Sequence, residues 1–225
     1  MLEPNPNALY LDCGCHAGLN SKRLGQRVSA RSIVGIDYNE QMLAGALKYG
    51  VRVARCDVNK PLPFRSEAFD VVTALDVIEH IVETAAFVAE LYRVITPGGY
   101  LIIDTPNLAS WHNIFALLLG IQPFSGPNIT TMIDADLDVV RAMHRHAHQF
   151  EEEGEIADES ERELRRHLVV LAYRSALKLL RQRGFHIELG LGYGYLPFPP
   201  ILGHLLSQLD PAHSHHMVIK ARKPT

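Results

Sequence analysis

Cysteine is scarce in this chain of 225 residues, which carries only Cys13, Cys15 and Cys56. An odd count without a Cys-x-x-Cys pair excludes both a disulfide framework and a thiolate zinc site, and it fits a reducing compartment, the cytoplasm. Basic residues are not in excess: 22 Lys and Arg face 25 Asp and Glu, for a net charge of −3. That balance argues against nucleic acid as a partner, which needs a basic face. No apolar run approaches the ~18 residues of a membrane-spanning helix. The opening "MLEPNPNALY" lacks the basic and apolar regions of a secretory signal. Peripheral contact with a membrane and a homodimer remain open. The dinucleotide fingerprint Gly-x-Gly-x-x-Gly and the P-loop Lys-Ser/Thr are absent too, so a pyrophosphate cradle is not expected and NAD should not bind usefully.

What is present is the composition of a globular domain, 47% hydrophobic and 21% charged, in a length that suits one domain, residues 1–225. Short β-branched runs at 8–12, 32–37, 51–57, 69–76 and 100–105 alternate with helix-like stretches near 19–28, 39–49 and 84–95. Alternation of this kind predicts βαβ units and a parallel sheet. Thr84 is expected to cap the third helix and "PGG" (97–99) to stop it. The rhythm breaks over 107–165, an expected insertion capping the acceptor side. Within it, "SWHNIFALLLGIQPFSGP" reads as a helix and "EEEGEIADESERELRR" as a solvated helix or loop. "YRSALKLLRQRGF" is a further helix with Gly184 as its C′ glycine. "FHIELGL" (185–191) and "HMVIKAR" (216–222) are the last strands, joined by the Pro- and Gly-rich "GYGYLPFPPILGHLL".

Four successive strands end in aspartate: Asp12, Asp37, Asp57 and Asp76. In an open α/β sheet, ligands bind outside the carboxyl ends of the strands. The first loop, "LYLDCGCHAGLN", has Gly14 and Gly18, which permit positive φ and close backbone approach. A single acid leading into a glycine turn suits a neutral or cationic small molecule better than a phosphate. Asp37, about 20–25 residues on, is placed to accept bonds from ribose hydroxyls.

These segments resemble the class I S-adenosylmethionine-dependent methyltransferases, of the small-molecule kind called methyltransferase type 11 or 12. "LDCGCHAG", "GIDYN", "CDVNKPLPFRSEAFDVV", "ALDVIEHI" and "LYRVITPGGYLIIDTPN" carry the resemblance, densely over 8–107 and loosely over 167–222. It implies a Rossmann-like three-layer α/β/α sandwich with a mostly parallel seven-stranded sheet and an antiparallel last strand. It implies S-adenosyl-L-methionine as the cofactor. Asp12, Gly14 and Gly18 would hold the methionine end, and Asp37 with Tyr38 the ribose. Asp57 and the Val58 amide would face the adenine, and Asp76 would line the floor near the methyl. The departure is His16 where the pattern has its middle glycine; its ring is expected on the surface.

Methyl transfer is an in-line displacement that benefits from positioning and, for a hydroxyl or ammonium acceptor, from a base. His80, one helical turn after Asp76, is the expected base, and Asp76 and His80 form the expected catalytic pair without a metal. Asp76, Glu79 and His80 also resemble, together with His167, the metal-binding motif of small-RNA 2′-O-methyltransferases and of ubiquinone-pathway O-methyltransferases. The acceptor is expected to be small or lipid-like, lined by Tyr38, Asn107, Trp111, His112, Phe115 and Phe124. A metal-assisted RNA 2′-O-methyltransferase and a non-catalytic adenosylmethionine-binding protein are the alternatives. Two further histidine clusters stand out: "HRHAH" (144–148), read as a surface segment, and "HSHH" (213–216), in which His215 and His216 are expected on opposite strand faces.

Overall fold

The structure is a computed structural model and describes residues 1–126 and 167–225, Pro197 apart. Its strands are β1 (Leu9–Cys13), β2 (Ser32–Asp37), β3 (Arg52–Arg55), β4 (Phe69–Leu75), β5 (Ile95–Pro106), β6 (His186–Tyr193) and β7 (His216–Arg222). Its helices are α1 (Leu19–Val28), α2 (Glu40–Lys48), α3 (Thr84–Val94), α4 (Trp111–Leu118), α5 (Tyr173–Gln182) and α6 (Pro200–Leu209).

The seven strands form one sheet in the order β3-β2-β1-β4-β5-β7-β6. Strands β1 to β5 pair in parallel, and β7 runs antiparallel to both of its neighbours. The chain therefore builds outward from β1 to β3 and then crosses back to place β4 beside β1. That reversal leaves a crevice at the carboxyl ends of β1 and β4, where ligands bind in sheets of this kind. The last strand enters the sheet backwards, so its first residue, His216, stands level with Pro106 of β5 and Tyr193 of β6.

Side-chain alternation along each strand covers both faces of the sheet. Leu11, Cys13, Val72, Ala74, Leu101 and Ile103 pack with Phe87, Leu91 and Val94 of α3 and Leu180 of α5. Tyr10, Val71, Tyr100 and Ile102 point the other way, onto Val28 of α1. Leu43 and Ala46 of α2 pack with Cys15 and Val51 on that second side. The result is the expected three-layer sandwich.

Two local expectations are corrected. Thr84 is the first residue of α3 and not its cap; Glu83 precedes the helix, and the Thr84 hydroxyl donates back to the Ile81 carbonyl at 2.9 Å. Pro97-Gly98-Gly99 does not stop α3, which ends when Ile95 turns extended; the triplet lies inside β5. There the pairing shifts between Phe69 and Val71, and a Cβ on Gly99 would come 2.7 Å from the Asp70 carbonyl oxygen. The glycines thus form a bulge with close backbone approach. The connector after β6, which had no assigned element, contains α6, with proline at its N-terminus, where a missing N–H costs nothing. Ile201 and Leu209 of α6 are 83% exposed, so the helix lacks the buried stripe by which it could have been read. The acidic stretch 151–166 and the "HRHAH" cluster lie outside the described residues, as does the 127–165 part of the expected cap.

Gly18 shows how backbone shape fixes the first crevice wall. It precedes α1 at φ 82°, and a Cβ there would lie 2.6 Å from both Cα and Cβ of Ala46 on α2. The glycine is thus needed for conformation and for the close approach of α1 to α2. Gly18→Ala should destabilise the fold by about 2–4 kcal/mol. Urea unfolding measures this as a lower midpoint at unchanged slope; an unshifted midpoint would contradict the packing described.

Candidate functional site

The site begins with a buried acid. Asp12 is 5% exposed, and its carboxylate accepts hydrogen bonds from the Ser21 and Thr73 hydroxyls, each at 2.5 Å. The Thr73 hydroxyl is in turn within 2.7 Å of the Tyr10 hydroxyl. Burial pushes the Asp12 carboxyl up to about 6, against the pull of the two hydroxyl donors. Asp12 therefore faces inward and ties β1 to α1 and β4, rather than presenting bare oxygens to the crevice. Above it the chain turns sharply: the Gly14 and Cys15 amides both donate to the Ile36 carbonyl, and Gly14 has φ 73°. A Cβ on Gly14 would strike Cγ2 of Val77 at 2.5 Å, so the glycine lets the β1 and β4 loops touch.

His16 adopts a left-handed φ of 47°, which explains why glycine would suit this position. Its side chain is exposed, as expected, and its amide donates to Asp37 Oδ2 at 2.9 Å. The Asn39 amide donates to Asp37 Oδ1 at 2.9 Å. Two amides thus aim a partly exposed carboxylate across the mouth of the first loop. Tyr38 is 51% exposed, with the Arg55 guanidinium over its ring at 5.2 Å. Asp57 lies past the end of β3, where its Oδ1 accepts from the Asn59 amide at 3.0 Å. That turn and Lys60 outweigh burial and hold its carboxyl below the usual range. Val58 follows, half-buried against the core. No side chain caps α1, which leaves its N-terminus to the loop.

Beyond β4 the structure divides the trio Asp76, Glu79 and His80. Residues 78–80 form one turn of 3-10 helix, not the start of an α-helix. Glu79 is 1% exposed, accepts from the Thr105 hydroxyl at 3.0 Å, and is pushed up to about 8 by burial and then by Asp76. Its carbonyl accepts the Leu168 and Val169 amides, which returns the chain so that the His167 and His80 rings lie 5.3 Å apart, edge to face. Ligand atoms of Glu79, His80 and His167 lie within 4.8 Å of one another and could hold a metal ion. Asp76 belongs to a second such group, with Asp104 and His216. Asp76 has φ 51°, a left-handed conformation that aspartate tolerates better than most. Its carboxylate is 3.7 Å from His216 Nδ1, and that of Asp104 is 3.4 Å away. The Tyr193 hydroxyl donates to Asp104 at 2.9 Å.

Asp104, Tyr193 and His216 were not legible as site residues. Their strands were, but the level at which an antiparallel strand enters a sheet follows from its register and not from local pattern. His215 and His216 do not point to opposite faces: their rings are 4.7 Å apart, because His215 precedes the strand and escapes its alternation. Several expected acceptor-lining residues have internal partners. Asn107 is fully buried and bonds to the Ala212 and Ser214 carbonyls and to the Ala109 and Tyr173 amides. Trp111 donates to the Tyr195 hydroxyl at 2.6 Å, and His112 stacks on Phe124. Phe115 is 55% exposed.

Comparison with known proteins agrees with this geometry. Residues 11–103 match the methyltransferase domain family. A probable S-adenosylmethionine-dependent methyltransferase of Mycolicibacterium smegmatis is 35% identical over 101 residues, 43% of this chain and 37% of that protein. A ubiquinone biosynthesis O-methyltransferase of Hahella chejuensis is 33% identical over 119 residues, 50% of this chain and 49% of that protein. The chain thus spans half or less of the length of these curated relatives. A Thermotoga maritima structure, described as an S-adenosylmethionine-dependent methyltransferase and possible histamine N-methyltransferase, superposes with a TM-score of 0.60 over 97% of this chain and 83% of that one, at 16% identity. The fold is therefore that of the class I S-adenosylmethionine-dependent methyltransferases. Among the described residues, no helix is long and apolar enough to cross a membrane.

Because the Asp12 carboxyl is raised from 3.8 to about 6 on folding, the folded state binds the extra proton between those pH values. Its contribution to stability is present below pH ~4 and is lost as pH rises through ~6. Asp12→Asn should remove this loss, so that from pH 4 to 7 its stability relative to the parent rises by about 1–3 kcal/mol. Parallel pH slopes in chemical denaturation would contradict the inward-facing, buried carboxylate.

Proposed function

We propose, from the match of residues 11–103 to the methyltransferase domain family, that this chain is an S-adenosylmethionine-dependent methyltransferase acting on a small-molecule or lipid-like acceptor. The observation that carries the reading is the Asp37 carboxylate, aimed by two backbone amides at the mouth of the Gly14 loop. Adenosylmethionine supplies a methyl group on a sulfonium sulfur, which is a good leaving group. The residues present fit it. The loop beside Gly14 lets backbone come close where a side chain would collide. Asp37 can accept from ribose hydroxyls, with Tyr38 beside it. In this reading Val58 and Asp57, past the end of β3, would face the adenine. Gly18 and the uncapped start of α1 suit the carboxylate of the methionine end. Asp12 acts from below, by holding that loop to β4. The free, buried state of all three cysteines fits a cytoplasmic protein. Exposed apolar side chains on α4 and α6, such as Leu118 and Ile201, suit a lipid-like acceptor.

A second reading has one observation in its favour, the convergence of Glu79, His80 and His167. Under it a divalent cation helps place the acceptor, and EDTA removes activity that Mg²⁺ or Mn²⁺ restores. Chelator-insensitive turnover would reject it.

Asp37→Ala should weaken adenosylmethionine binding by about 1–3 kcal/mol, since ribose hydroxyls lose a charged acceptor. Calorimetry on parent and variant measures this, with NAD as the control ligand that neither binds. Equal affinity in the two proteins would refute the assignment of Asp37.

A further inference from the structure

We propose that His216 accepts the proton of the methyl acceptor, with Asp104 and Tyr193 as positioning residues, and that the acceptor is the hydroxyl or amine of a neutral or cationic small molecule. The proposal rests on the methyl-transfer reading above and describes the acceptor half of the same site.

Topology puts His216 there. Of all β7, only its first residue reaches the carboxyl edge, because the strand runs antiparallel to β5 and β6. At that level it meets the end of β5, the end of β6 and the residue after β4. Its Nδ1 faces Asp104 Oδ1 at 3.4 Å and Asp76 Oδ1 at 3.7 Å. The Tyr193 hydroxyl is within 3.1 Å of one Asp104 oxygen and 2.9 Å of the other, which fixes the carboxylate, and the Tyr193 ring packs on His216 at 5.0 Å. With Nδ1 turned to the carboxylates, neutral His216 carries its proton there, and its Nε2 lone pair is left for an incoming group. The His216 side chain is 12% exposed among the described residues.

Among the described residues, the acids facing His216 are Asp104 on β5, Asp76 after β4 and Glu79 in the turn beyond, with the rings of Tyr193 on β6 and His215 packed beside it. Asp104 Oδ1 at 3.4 Å and Asp76 Oδ1 at 3.7 Å put two carboxylates on the Nδ1 side of the His216 ring. An anionic acceptor would meet these carboxylates unfavourably, whereas a neutral or cationic one would not. The balance of the step is simple. The acceptor O–H or N–H bond breaks, and its proton goes to His216 Nε2. The acceptor lone pair forms the new bond to the methyl carbon as the carbon–sulfur bond breaks, its electron pair staying on sulfur. The proton then leaves His216 for water.

Two measurements decide the matter. Nitrogen-15 NMR of the histidine rings, with His216→Gln to assign the signal, should show neutral His216 as the Nδ1–H tautomer; the Nε2–H tautomer, or a His216 signal moved by Mg²⁺ or Mn²⁺ alone, would overturn the proposal. This readout needs no acceptor, so it decides the question if no probe is turned over. Turnover is tested with catechol, dopamine and 3,4-dihydroxybenzoate as neutral, cationic and anionic probes. Where methylation is seen, the anionic probe should be the poorest. His216→Gln should lower kcat by about 10²–10⁴-fold with adenosylhomocysteine affinity unchanged. Asp104→Asn should reduce the share of the Nδ1–H tautomer in the same spectra and lower kcat with adenosylhomocysteine affinity unchanged, because Nδ1 then loses its carboxylate acceptor. An unchanged kcat in His216→Gln, or preference for the anionic probe, would overturn the proposal. Adenosylhomocysteine titration of the parent protein separately tests the methyl-transfer reading: absent binding there would remove that reading whatever the tautomer.

Discussion

The carboxylate of Asp12 is the group on which the site is built. It is buried near the end of strand β1, and it holds hydroxyls from α1 and β4 at once. Those two elements form the walls of the crevice opened by the reversal of strand order. A buried carboxylate is costly without partners, and satisfied by two hydroxyls it fixes the elements that supply them. The loop above can then fold in only a few ways. Gly14 turns it under Val77, and His16 directs an amide at Asp37. The acid at the surface of the pocket is thus oriented by the backbone that the acid beneath it secures.

The same edge of the sheet carries a second acidic region, at the ends of β4, β5 and β6. Here charge is gathered around histidine. Asp76 and Asp104 flank His216, while the buried Glu79 lies beside His80 and His167. In the strand order the first region belongs to β2 and β1 and the second to β4, β5, β7 and β6. One suits a ribose and a cationic methionine end, the other an acceptor that gives up a proton. A transferable methyl between them would be approached from the acceptor side, the geometry that in-line displacement needs.

Much of this was legible in the residues. Strand positions, the parallel sheet and the acids at or just past the ends of β1 to β4 follow from short β-branched runs ending in aspartate. The turn at Gly14 and the position of Asp37 at the end of β2 were legible because each is set within a few residues of chain. What escaped has physical causes. Asp12 reads like its three fellow acids, and only the fold turns it inward onto Ser21 and Thr73. His216 gains its place from the register of an antiparallel strand over a hundred residues from Asp104. The bulge in β5 made "PGG" part of a strand, where local chemistry suggested a helix stop. Asn107, expected at the acceptor, is consumed as a buried hydrogen-bonding hub, a role visible only when its four backbone partners are in place.

The central claim is that the crevice between the β1 and β4 loops holds adenosylmethionine. Its most direct measurement is calorimetric titration of the unmodified protein with adenosylhomocysteine, the demethylated product. The account predicts one-to-one binding with a dissociation constant on the order of micromolar, about −8 kcal/mol. No detectable heat up to roughly millimolar ligand, near −4 kcal/mol, would contradict it.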